Sequence, residues 1–310
     1  MGLRDLDNIL VVYKKSLFEL YTSGTADDNM RNYALNNSAL LSSHNTQQKS
    51  IEAAVKAVEH KGLNYQLIYR GDLTQDIADK YSFVISVGGD GTLLDVSHFI
   101  KDTPILGLNS DPNSSIGYFC LATPETISHH LSDIETVKTT KMYRLQLILN
   151  DNQIPIPALN DILLTPANPA EMMRYKLTVD GVSIQRKGST TVRSSGIIIC
   201  TAAGSTGWMY QAGGKIMPPG SKQMQYHERD QRELGFNYAS EKIVVESETR
   251  VAKIYVDGSH IQYDFNLGAK LTVTMGQPLI LVGDLREKRR KNISERDKNR
   301  SLSKKMGKND

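Results

Sequence analysis

The stretch that most restricts the fold is FVISVGGDGTLLDVS, Phe83 to Ser97. Its first five residues form an apolar run that suits a strand buried on both faces. Gly88-Gly89-Asp90-Gly91 stops that run, and helical spacing takes over from Thr92 to Ile100. A strand that turns through glycines straight into a helix is half of a βα unit. The neighbouring segments repeat the theme. Ile9–Tyr13, Tyr65–Arg70 and Ile105–Asn109 read as further short strands, and Gln47–Lys61 places Ile51, Ala54, Val55 and Val58 on one helical face before Gly62. Residues 22–46, rich in Asn, Ser and Asp, read as a long loop with at most a short helix. The alternation predicts an α/β domain, a parallel sheet flanked by helices, over residues 1–110.

After Asp111 the pattern changes to strands separated by turn residues. Tyr143–Asn150, Ile162–Pro166, Arg174–Gly181, Gly196–Thr201, Lys242–Ser247, Val251–Phe265, Leu271–Met275 and Leu279–Gly283 are the candidates. Asp180-Gly181 and Asp257-Gly258 are hairpin-turn dipeptides. A β-rich second domain over residues 111–284, a sandwich or compact stack of sheets, follows.

Length and charge agree with two domains. The chain has 310 residues, 39% apolar and 23% charged, and no window approaches the roughly 18 consecutive apolar residues of a membrane span. No membrane partner is expected. MGLRDLDN at the N-terminus has no basic-then-apolar leader, which points to a cytoplasmic protein. Cys120 and Cys200 stand far apart among apolar residues and suit buried, reduced thiols better than a disulfide framework or zinc site. The net charge of +3 is unevenly spread. Residues 286–308 carry 11 Lys and Arg against 3 Asp and Glu, leaving a mildly acidic body. Residues 285–310 therefore read as a basic, disordered tail, and the lack of interleaved aromatics argues against nucleic acid.

Chemistry gathers at four places. In SVGGDGT, free amides at a helix start attract phosphate, and glycines let the backbone approach closely. The run lacks the Lys of a Walker loop and the third glycine of a dinucleotide fingerprint. Asp90 is the puzzle, because a carboxylate beside phosphate is repelled unless it holds magnesium or takes a proton from an attacking hydroxyl. A plain turn, with Asp90 capping the helix, is the alternative. The second place is GLNSDPNSSIGYFC, Gly107 to Cys120, a strand end followed by a loop that also reads as a linker. Asn160-Asp161, just before a strand, can grip ribose hydroxyls or an adenine edge, or form a simple turn. Lastly, in TAAGSTGW small residues make room for a flat ligand while hydroxyls offer hydrogen bonds. Trp208 there either walls off a base or packs in a core.

These motifs, in this order, resemble those of the NAD kinase family over roughly Ile9 to Gly283. GGDGT alone is shared with lipid kinases and phosphofructokinases; the set is more specific. The resemblance implies ATP-dependent phosphorylation of the adenosine ribose 2′-hydroxyl of NAD, or NADH, to give NADP, with Mg2+ accompanying ATP and a homo-oligomer, dimer or tetramer. It implies Asp90 as general base, Gly88, Gly89, Gly91 and Thr92 as phosphate loop, and Asn160, Asp161, Thr201, Gly204, Ser205, Thr206, Gly207 and Trp208 as dinucleotide contacts. Most members read Asn-Glu where this chain has Asn160-Asp161, and many have Tyr where Trp208 stands. Many also have Arg-Gly-Asp-Gly where this chain has Arg193-Ser194-Ser195-Gly196, so a carboxylate expected near the nicotinamide is missing. Competing readings are a lipid or sugar kinase using the same glycine turn, and a non-catalytic dinucleotide sensor.

Overall fold

The computed structural model describes residues 6, 8–112, 115–186, 188–230 and 236–286. Two compact units form. One takes in Met1–Val96, Thr103–Thr140 and Ile280–Asp310, the other Ser97–Asp102 and Lys141–Leu279.

The first unit holds β1 (Asn8–Tyr13), β2 (Asn64–Tyr69), β3 (Phe83–Gly88), β4 (Ile105–Asn109) and β5 (Cys120–Ala122). They pair in parallel, β2 with β1, β1 with β3, β3 with β4 and β4 with β5. Every residue of β3 and β4 is buried, as the continuous apolar runs require of a sheet covered on both faces. The strands are accompanied by helices α1 (Leu17–Thr22), α2 (Asp28–Leu35), α3 (Ser38–His60), α4 (Gln75–Ala78), α5 (Asp90–Ser97) and α6 (Ile127–Ser132). Ile51, Ala54 and Val58 of α3 pack on Ile9, Val11, Phe83 and Ile85.

Two expectations need correction here. Residues 22–46 are largely helical rather than a loop. Asp27 caps α2 by accepting from the Met30 N–H at 2.8 Å, and Asn37 caps α3 by accepting from Ala39 and Leu40. The short polar residues that suggest a loop are helix starts. The domain boundary at residue 110 also moves. The Gly107–Cys120 segment is no linker, because β5 rejoins the sheet beside β4 and α6 buries Ile127 and Leu131 in the first unit's core.

The second unit contains β7 to β17 and most of two strands that it shares with the first. The first of these, β6 (Thr139–Leu149), leads to β7 (Asn152–Gln153), β8 (Asp161–Pro166), β9 (Met173–Val179), β10 (Val182–Ser183), β11 (Thr191–Ser194) and β12 (Ile197–Cys200). After the short helix α7 (Trp208–Gln211) come β13 (Met224–Glu228), β14 (Asn237–Ala239), β15 (Lys242–Ser247), β16 (Ala252–Val256), β17 (Ile261–Asp264) and β18 (Lys270–Val282). One antiparallel sheet runs β14-β13-β12-β8-β16-β17. A second set pairs β10 and β11 with β9, β9 with β15, and β15 with β18. Ile162, Leu164 and Ile254 from the one pack with Tyr175, Leu177, Val245 and Leu271 from the other, the expected sandwich core. Asp180 and Gly181 both adopt positive φ, 48° and 83°, between β9 and β10, as a tight hairpin demands. The two strands expected at Leu271–Met275 and Leu279–Gly283 are one strand, because Gly276-Gln277-Pro278 stays extended and the Gln277 carbonyl accepts from Arg144 Nε at 3.2 Å.

Ser97–Asp102 belongs to the second unit for an electrostatic reason. The buried Arg144 guanidinium donates to the carbonyls of Ser97, Ile100 and Lys101 at 2.6–2.9 Å. Burial draws its pKa down to about 10, so it stays charged at neutral pH. Leu285 is also buried, which places the start of any tail beyond it, and residues 287–310 lie outside the described residues. Among the described residues no helix is long and apolar enough to cross a membrane.

Candidate functional site

In the first unit the glycine turn joins β3 to α5. Gly88 must be glycine, because a Cβ there would meet Thr92 Oγ1 at 2.2 Å. Thr92 is itself buried and closes the turn from inside. Gly89 is half-buried and Gly91 exposed. Asp90 is the first residue of α5, where backbone N–H groups have no intrahelical partner. Its side chain does not cap the helix. Instead Oδ2 accepts from the Tyr118 N–H and Oδ1 from the Phe119 N–H, both at 2.7 Å. The Gly107–Cys120 segment is thus the cradle of Asp90, and Asn109 shapes it. Asn109 Nδ2 donates to the Ser115 carbonyl at 2.8 Å, and its Oδ1 accepts from the Asp111 N–H at 3.2 Å. Gly117, at φ 56°, packs so tightly on Asn109 that a side chain would collide with it. Asn113 and Ser114 of this loop lie outside the described residues.

In the second unit Asn160-Asp161 and the Thr201–Trp208 turn come together. Cys200 pairs with Asp161 across β12 and β8, and the Thr201 N–H donates to the Asn160 carbonyl at 2.9 Å. A Cβ on Gly204 would come within 2.1 Å of that same carbonyl, so the turn packs directly on the Asn160 peptide. Here the expected roles divide. Thr201, Gly204 and Ser205 are buried. Thr201 Oγ1 donates to the Leu159 carbonyl at 2.5 Å, and Ser205 Oγ donates to Ala202 and accepts from Met217. They build the turn, with the hydroxyls of Thr201 and Ser205 bonded inside it and Gly204 allowing its close packing. Thr206 is half-buried, its hydroxyl donating to the Ala203 carbonyl, while Gly207 and Trp208 are exposed. Trp208 is no core residue: it is 42% exposed, with the Arg229 guanidinium 5.4 Å over its ring.

Sequence reasoning missed the residue that fixes Asn160-Asp161. Asp257, read only as a hairpin dipeptide, sits at φ 51° with its carboxylate fully buried. Oδ1 accepts from the Asn160 and Asp161 N–H groups at 2.7 and 3.0 Å, and Oδ2 from Leu159 at 2.7 Å. Buried His98 completes the set, its Nε2 2.9 Å from Oδ2 and acting as donor to the carboxylate. The dipeptide Asp-Gly carried the signal for a turn but not for this second task. Asp161 carries an unusual charge state. Burial, with the Asp257 carboxylate adding to it, pushes its pKa up to about 7. Asn160 Oδ1 is buried and has no hydrogen-bond partner among the described residues. Cys120 and Cys200 are buried free thiols, as expected, and burial pushes the Cys200 thiol far up.

A phosphate-suited glycine turn with a cradled carboxylate on the first unit's parallel sheet, and a buried amide-carboxyl pair on the second unit's β-sandwich, are features suited to a nucleotide-binding protein. Comparison with known proteins agrees. A profile of the ATP-NAD kinase N-terminal domain matches residues 14–138, and one of the C-terminal domain matches residues 159–280. The NADH kinase of Arabidopsis thaliana is 34% identical over 264 residues, 76% of this chain and 82% of that protein. The probable NADH kinase of Oryza sativa subsp. japonica is 30% identical over 262 residues, 76% and 80%. Among solved structures, an Archaeoglobus fulgidus NAD kinase in complex with ATP superposes with a TM-score of 0.66 at 23% identity, covering 93% of this chain and 97% of that one. Yeast NADH kinase complexed with NADH gives 0.65 at 16% identity, covering 91% and 84%. The chain belongs to the NAD kinase family and is a kinase that phosphorylates NAD.

Proposed function

We propose that the chain transfers the terminal phosphoryl group of Mg-ATP to the 2′-hydroxyl of the adenosine ribose of NADH as readily as of NAD, with Asp90 as the base. The observation that carries this is the Asp90 carboxylate, half-exposed and held by two backbone amides at the head of a phosphate-suited turn. Each oxygen has spent one lone-pair direction on an amide and keeps another for the hydroxyl proton. As the O2′–phosphorus bond forms, the proton passes to Asp90 and the bond from phosphorus to the bridging oxygen of ADP breaks. A sugar hydroxyl is too weak an acid to ionise early, so alignment and charge neutralisation supply most of the acceleration.

Gly89 and Gly91, with the first amides of α5, are assigned to the donor phosphates, while Gly88 and Thr92 shape the turn. ATP's magnesium favours hard oxygen donors, and the Asp90 oxygen that does not take the proton would suit it. When bound, that ion would offset charge on the phosphates. On the dinucleotide side, unpaired Asn160 Oδ1 suits the adenine amino group and Asp161 the ribose hydroxyls. Exposed Trp208 and Gly207 form the accessible wall of the turn.

The acceptor preference follows from Ser195. A carboxylate there would attract the cationic ring of NAD over the neutral ring of NADH, whereas a half-buried serine has no such bias. Ser194 is buried and structural, donating to the Gly196 carbonyl at 2.8 Å. A homo-oligomer in the cytoplasm completes the proposal. Incubation with Mg-ATP and either NAD or NADH, followed by assay of NADP and NADPH, tests it. Comparable kcat/KM for the two acceptors is expected. A more than tenfold advantage for NAD would overturn the preference, and no product from either would overturn the kinase reading.

A further inference from the structure

The parallel register sets three strand ends side by side in the first unit. Tyr13 of β1 lies opposite Val87 of β3 and opposite Tyr69 of β2. One residue further on, Gly88, Lys14 and Arg70 therefore follow one another across the sheet, with neighbouring strands about 5 Å apart. In open α/β sheets the carboxyl ends of the strands are where ligands bind. Gln47, buried on α3, ties two of these ends together, its Nε2 donating to the Lys14 carbonyl at 3.3 Å and the Val87 carbonyl at 3.5 Å.

Lys14 is in an uncomfortable place for a lysine. It is half-buried, and no described residue accepts a hydrogen bond from or pairs with its ammonium. Burial, and then the like charge of Arg70, pull its pKa below the ordinary value; Asp111 and Cys120 pull the other way. Arg70 is already satisfied, its Nη1 2.5 Å from Asp95 Oδ2, and Lys15 rests over the Tyr69 ring at 4.5 Å. A desolvated, unpaired cation beside another cation is costly to the fold unless an anion arrives. The turn next to it offers free amides suited to phosphate.

We infer that Lys14 is a phosphate-binding residue of the donor site, its ammonium meeting the condensed phosphate chain laid along the Gly88–Thr92 turn. The name of the donor rests on the kinase reading; the affinity for condensed phosphate does not. It is tested on the full chain with Lys14→Met, Lys14→Gln and Lys14→Arg, by titrating Mg-ATP and, separately, magnesium tripolyphosphate. Both neutral variants should bind both probes about tenfold or more weakly, the loss expected for a charge-assisted contact. Lys14→Arg should recover most of the binding. Dinucleotide affinity should stay within twofold.

Thermal melting separates this from a structural role. Without ligand, Lys14→Met should melt no lower than the wild type, because it removes a strained charge, yet lose the rise in Tm that ATP produces. A ligand-free melt well below wild type with an unchanged ATP-induced rise would overturn the inference. So would unaltered binding of both probes, or weakened ATP with unaltered tripolyphosphate. Should the wild type phosphorylate neither NAD nor NADH, weakened tripolyphosphate binding in Lys14→Met would still support the site while the kinase reading failed.

Discussion

Two aspartates, one in each unit, gather backbone amides from distant parts of the chain, yet they end in opposite circumstances. Asp90 takes the N–H groups of Tyr118 and Phe119, 28 and 29 residues away. Asp257 takes those of Leu159, Asn160 and Asp161, 96–98 residues away, and His98 as well. Asp257 has four donors and no exposed side-chain surface, so it can act only by holding other groups in place. Asp90 has two donors and an open side. The same interaction gives an anchor when saturated and sealed, and a fixed but reachable carboxylate when half of its lone pairs are left over.

The contrast breaks most directly at Asp257. Asp257→Ala strips four buried donors of their acceptor, and a loss of about 3–5 kcal/mol is expected, read as a lower urea midpoint. A variant within about 1 kcal/mol of wild type would mean that those amides find water, and the anchor assignment would go. At Asp90 the balance reverses. Asp90→Asn turns one acceptor into a donor facing an N–H, which costs about 1–2 kcal/mol of stability. Turnover should fall by roughly 10²–10⁴-fold while the KM for the dinucleotide holds. Near-normal kcat would demote Asp90 to a second anchor of the Asp257 kind.

What was legible in the sequence depends on how local the cause was. The apolar runs of β3 and β4 and the Asp180-Gly181 hairpin are local, and they folded as read. Helices α2 and α3 were hidden because Asp27 and Asn37 look alike whether they cap a helix or populate a loop. A motif names a segment, but not which of its atoms face outwards. Thr201 and Ser205 are hydroxyls in a promising turn, and only their partners, Leu159, Ala202 and Met217, reveal that they are spent. The grip of Asp257 on Leu159–Asp161 depends on strand pairing between β8 and β16, which no short window contains.

Asp161 lies between these extremes and gives the subtlest test. Its pKa is raised from the ordinary 3.8 to about 7 by burial and by Asp257, so the fold favours the protonated form. The stability this contributes is complete below about pH 4 and is lost as pH rises through 7. Asp161→Asn removes the titration, and at pH 8 the ligand-free variant should be more stable than wild type by of order 1–2 kcal/mol. Function runs the other way. Only the ionised carboxylate accepts from two ribose hydroxyls at once, so the dinucleotide KM of the wild type should fall as pH rises from 6 to 8. In Asp161→Asn that KM should be higher and flat across the same range. A pH break that survives the substitution would move the titrating group elsewhere, and would leave Asp161 as one more carboxyl that shapes the turn without meeting the substrate.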